Sequence, residues 1–241
     1  MDNEIYEKLI KELEAQGYTG DIRKCGGIIV DEKGKRIRLP FPNEEYYDVL
    51  INYLGAFERQ ASNIHILNCL VKPKKYDLIP HILDQYFNTL QHSYRWHLGD
   101  ALYTIGFNKN YCSEYINIIK NIKYGRARQM VVCLLGKSKQ QEALPILLEI
   151  MHKWDYDVFP QVMCALSFFK DEDTFEEVFE FTKFLVSDEG KTKYFNELRD
   201  YNSELTKSDI KGCYKLLLKE INKTLKRHNC EITKEQMQFN L

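Results

Sequence analysis

From about residue 61 the chain repeats itself, and this periodicity limits what it can fold into more than any other feature. One set of segments carries apolar residues at i, i+1 and i+4: Ile66-Leu67-Leu70, Ala101-Leu102-Ile105, Val131-Val132-Leu135 and Val162-Met163-Leu166. Each is followed by a segment with apolar positions at i, i+3, i+4 and i+7: Ile79-Ile82-Leu83-Tyr86, Tyr115-Ile118-Ile119-Ile122, Leu144-Leu147-Leu148-Met151 and Phe175-Val178-Phe179-Thr182, with polar Thr182 the one weak position. Successive units start about 30 residues apart, the first interval slightly longer. Each unit therefore reads as two short amphipathic helices. Such a pair cannot bury its apolar faces alone, and stacking the pairs gives one continuous core.

The flanks complete an all-α expectation with a single β element. Residues 3–16 predict a helix with Ile5, Leu9, Ile10 and Leu13 on one face and Gly17 as its stop. Cys25 to Leu39 reads as a β-hairpin turning at Gly34. Asn43 is placed to cap a helix to about Leu54. Gly106 and Gly136 read as residues just past the first helices of their units. Ser138 with Gln141, and Thr174 with Glu177, have capping-box spacing. Ser208 or Asp209 is expected to cap a last helix running to about His228, and the tail after Cys230 lacks a period. The resulting division is 1–60 (helix, hairpin and capping helix), 61–190 (four helix pairs) and 191–241 (C-terminal capping helices and tail).

Gly125 to Ser167 carries Arg126-Ala127-Arg128, Leu135-Gly136, Glu142 to Leu147, Asp155 to Val158 and Cys164-Ala165-Leu166. In these residues the chain resembles the short HEAT-like repeats of the phycobilisome-lyase type. The resemblance implies a right-handed α-α superhelix, a HEAT-like solenoid, and bears on architecture rather than task. In such stacks, aspartates before a repeat and arginines at its start bond between neighbouring units. Asp155 and Asp157 are expected to serve the scaffold in that way.

Composition narrows the function classes. A net charge of −1 gives no global attraction to nucleic acid or anionic membrane. The seven cysteines are scattered and form no C-x-x-C, which favours a reducing, cytoplasmic setting. The N-terminus lacks a secretion signal, and no apolar run approaches the roughly 18 residues needed to span a bilayer. The six histidines form no H-x-x-x-H pair and no His-Glu dipeptide, so neither metal nor cofactor is expected. No G-x-S-x-G, P-loop or G-x-G-x-x-G occurs, and Gly26-Gly27 precedes a strand rather than a helix.

Two groups of side chains remain as candidates. The segment from Tyr115 to Gln141 holds six basic residues and no acidic one. From it and the following helix come the expected contact residues Lys120, Lys123, Arg126, Arg128, His152, Lys153 and Trp154, suited to a protein or peptide with an acidic patch. Trp96 and Asp100 share a helical face. That pair is similar to the tryptophan and catalytic aspartate of the HEAT-like alkylpurine DNA glycosylases, and implies the alternative of a base-excising or nucleic-acid-binding protein with Asp100 and Trp96 at its site. The preferred expectation is a non-catalytic protein-binding repeat module, of a bacterial immunity, antitoxin or scaffold kind. A bilin lyase or chaperone-like subunit follows only from the repeat resemblance.

Overall fold

A computed structural model describes residues 2–30, 32, 34–226 and 230–233. It forms two compact units, Met1–Asn108 and Lys109–Leu241. The described residues are mostly helical, with one two-stranded sheet.

In the first unit α1 spans Asp2–Ala15, and Gly17, at φ +88°, stops it as expected. β1 (Ile28–Val30) pairs antiparallel with β2 (Arg36–Arg38), Ile29 lying opposite Ile37. A 3-10 turn over Glu44–Tyr46 leads into α2 (Tyr47–Asn52). Asn43 makes no side-chain bond to this turn, so the capping role expected for it is not realised. α3 (Gln60–Leu70), α4 (Ile79–Asn88) and α5 (His92–Ile105) follow, with α5 packed on both α3 and α4. The loop before α3 is fixed by buried Asn63, whose amide donates to the Phe57 carbonyl at 2.8 Å and accepts from its N–H at 3.0 Å.

The second unit holds α6 (Cys112–Lys120), α7 (Gln129–Lys137), α8 (Leu144–His152), α9 (Phe159–Leu166), α10 (Glu172–Val186), α11 (Asp188–Tyr201) and α12 (Lys207–Lys226). α9 is its hub, packed against α7, α8 and α12. The eight helices from α3 to α10 are those the periodicity predicts, and the unit boundary falls between α5 and α6, inside the 61–190 stretch. Every residue of the i, i+1, i+4 columns is buried. In the other columns Thr182 is buried and donates its hydroxyl to the Val178 carbonyl at 2.6 Å, while Ile122 stands 73% exposed.

Several local expectations are corrected. Gly136 lies inside α7 rather than past its end. The Ser138 hydroxyl donates back to the Leu134 and Leu135 carbonyls instead of capping α8. α10 is capped by Asp171, which accepts from the Thr174 N–H at 2.8 Å. At α12 the reciprocal cap is made by Thr206 and Asp209: Asp209 accepts from the Thr206 N–H and hydroxyl, and Thr206 accepts from the Asp209 N–H. Past α12, Ile232 is buried and its N–H reaches Asn222 Oδ1 at 3.1 Å; the expected helix end at His228 and the tail beyond Thr233 lie outside the described residues. Among the described residues no helix is long and apolar enough to cross a membrane.

Candidate functional site at the base of the hairpin

His65 and Cys69 are four apart on α3, so the helical period puts them on one face. A third side chain meets them from far off in sequence. The segment before β1 makes a tight turn, with the Lys24 and Cys25 N–H groups donating to the Asp21 carbonyl and Ile22 fully buried beneath. Asp21 also pairs with Lys24 at 3.0 Å and accepts from the Arg23 N–H, which holds its carboxyl below the usual range. This turn aims Cys25 at α3.

Cys25 Sγ lies 3.1 Å from Cys69 Sγ and 3.5 Å from His65 Nε2. The Ile22 carbonyl is 2.6 Å from the same Nε2 and 3.1 Å from Cys25 Sγ. A carbonyl only accepts, so this bond places a proton on Nε2. Both cysteines are buried and His65 is half-buried. The hydrogen bond from Cys69, joined by that from His65, lowers the Cys25 thiol against the opposing cost of burial. The same contact and burial raise Cys69, and the bond to Cys25 raises His65. The three side chains and the Ile22 carbonyl thus form one small hydrogen-bonded group, with the Cys25 thiol and the His65 Nε2 both directed at the carbonyl.

Cys25 and His65 open onto a cleft of about 410 Å³ whose walls include Gly26, Gly27, Arg38, Phe41 and Asn68. Gly26 is required there, because it sits at φ +71° and a Cβ would lie 2.4 Å from the Phe41 ring. Arg38 donates through Nε to the Gly26 carbonyl at 3.1 Å and leans over Phe41. A second cleft of about 310 Å³ shares Arg38, Phe41 and Asn68 and continues to His97, Asp100 and Thr104. Asp100 therefore lines a cavity, whereas Trp96 is not among that cleft's lining residues and sets its ring edge-on to His97 at 5.1 Å.

Above the cleft the hairpin stands in solvent. Ile28 is 64% exposed, Val30 63%, Ile29 44% and Ile37 39%, and Arg36 and Arg38 are exposed as well. Alternation puts Ile28, Val30, Arg36 and Arg38 on one face and Ile29 and Ile37 on the other.

The contact residues expected in the second unit divide. Lys120, Glu149 and Lys153 surround a small hollow of about 100 Å³ together with Ile122 and Ile146. Lys123 and Arg126 are exposed, and His152 Nε2 pairs with Glu177 at 3.0 Å. Arg128 and Trp154 are not available for contact. Arg128 is buried, held by both carboxylate oxygens of Asp155 at 2.8 and 2.9 Å and by the Gly125 and Ile119 carbonyls. Trp154 is buried against Phe159, Phe181, Phe184 and Tyr194, with the Lys193 ammonium over its ring. Asp155 and Asp157, in the loop before α9, pair with Arg128 in the segment leading into α7, a structural contact of the kind expected of them.

Compared with known proteins, the chain matches no protein-family model, no curated protein and no solved structure.

The cysteine–histidine cluster matches none of the common motifs H-x-x-x-H, His-Glu and C-x-x-C. His65-x-x-x-Cys69 is a mixed pair at the same helical spacing as H-x-x-x-H, and that spacing was the available signal. Cys25, forty residues before His65, carries no local mark of its destination.

Proposed function

We propose that the chain is a partner-binding module built of HEAT-like helix pairs, and that its ribbon receives an acidic protein segment. The observation that carries this reading is the exposure of all six paired ribbon residues. An isolated two-stranded ribbon is marginal in water, and apolar surface left uncovered in this way marks a contact site. Both strands offer edge N–H and C=O groups, onto which an extended segment can add as a further strand. Arg36 and Arg38, with Arg23 at the ribbon base, set the sign of the charge. The hollow between Lys120 and Lys153 is of mixed charge, since Glu149 and Asp155 line it too and Glu149 pairs with Lys153.

The test compares captures from native lysate by the wild-type chain, an Ile28→Asp/Val30→Asp variant and a Lys120→Ala/Lys153→Ala variant. Ribbon substitution is expected to reduce retention of an acidic partner at least about 10-fold, because two central apolar anchors become charged. The lysine variant should retain it. Equal retention by the ribbon variant at matched salt sinks the ribbon as the docking element.

A further inference from the structure

We infer that Cys25, His65 and Cys69 form a site for a thiophilic divalent cation of the zinc class, with its fourth position open to the cleft. All three donor atoms lie within 4.8 Å of one another. Tetrahedral zinc, with Zn–S about 2.3 Å and Zn–N about 2.0–2.1 Å, sets S···S near about 3.8 Å and S···N near about 3.6 Å. The Cys25–His65 separation of 3.5 Å already meets this. The two sulfurs, at 3.1 Å, need to part by only about 0.7 Å.

The donor set is selective. Two thiolates and an imidazole suit zinc and its soft neighbours, and disfavour magnesium and calcium, which take oxygen. Both cysteines are buried, so a thiolate formed there on metal binding is shielded from water and favours a cation beside it. A disulfide would use only the sulfurs, whereas a metal also takes the imidazole that stands 3.5 Å from Cys25. On metal binding Nε2 gives up the proton it shares with the Ile22 carbonyl, and the imidazole takes its Nδ1–H form. Cys25 and His65 line the cleft together with Gly26 and Arg38, and Cys69 does not, so the open position is assigned to that cavity.

The site also has a mechanical consequence. Cys25 stands immediately before Gly26 and Gly27, which lead into β1, so the metal ties the ribbon's base to α3. This inference stands whether or not the ribbon meets a partner.

The experiment is cobalt titration of the full chain, reduced and stripped of metal by chelation. Expected are one Co2+ per chain, thiolate-to-cobalt absorption in the near ultraviolet, visible bands of a four-coordinate ion, and displacement by Zn2+. Removing an outer-shell partner costs about 10–100-fold in affinity, so Cys69→Ser and His65→Gln should each weaken binding by more than about 100-fold. Cys133→Ser, in α7, should not. His65 is half-buried, so its variant remains informative if the buried serine prevents folding. The inference is overturned by absence of the bands in fully reduced protein or by unchanged affinity in His65→Gln. A chain that has lost two hydrogens by mass and takes no metal under these conditions overturns it equally.

Discussion

Two arginines two positions apart meet opposite fates. Arg126 keeps a side chain 65% exposed, 3.8 Å from Asp157, while Arg128 turns inward to a bidentate bond with Asp155. Removing one partner of a buried pair leaves the other uncompensated. Arg128→Ala is expected to cost about 3 kcal/mol, towards the lower end because Asp155 keeps some contact with water. Arg126→Ala should cost less than about 1 kcal/mol. Urea unfolding of both variants checks the contrast. The sequence displays both arginines equally. Their orientation is decided at Gly125, where φ +51° and ψ −133° break the 3-10 segment Ile122–Arg128, a backbone feature that charge counting does not see. The same limit applied at His65, Cys69 and Cys25: the helical pair was legible from its spacing, the long-range third member was not.

Among the elements, α7 and α9 show a glycine set by close approach. A Cβ at Gly136 would stand 2.4 Å from the Ala165 Cα and Cβ, so the two helices cross at backbone contact. Gly136→Ala forces them apart at a cost of about 1–3 kcal/mol, only partly offset by the ~1 kcal/mol by which a helix favours alanine. A lower midpoint in thermal unfolding is expected; a higher one would show that the crossing yields freely. Reading Gly136 as a helix stop failed because a glycine needed for close approach and one needed for positive φ look identical in a sequence. Gly106, at φ +103°, is of the second kind.

The start of α12 gives a pH-dependent case. Bonds from the Thr206 hydroxyl and N–H lower the Asp209 carboxyl. A carboxyl lowered in the folded state stabilises above its unfolded value and loses that contribution as pH falls through the folded one. Asp209→Asn should therefore lower Tm at neutral pH, and the difference from wild type should close in acid. Thr206→Ala removes the other half of the cap and should cost about 1 kcal/mol.

At the scale of the whole molecule, the apolar columns were enough to place the helices from α3 to α10, because burial of a repeated face follows directly from the helical period. The division after Asn108 was not legible, since α5 and α6 share the periodic signature of their neighbours. All three proposed metal donors fall in Met1–Asn108. Zinc at about 100 times its Kd stabilises against any opening that releases it by about 2.7 kcal/mol. Hydrogen exchange should accordingly slow over residues 22–30 and 60–70 on zinc addition. Unchanged exchange at both segments would mean that the ion holds neither.

None of the six paired residues of β1 and β2 is buried, so the helices have their cores elsewhere. Substitutions along its length can accumulate without threatening the fold, provided Gly26 and the turn beneath it stay as they are. A surface carried on such an element is free to change side chain by side chain while the frame beneath stays fixed, as a key is recut without altering its handle.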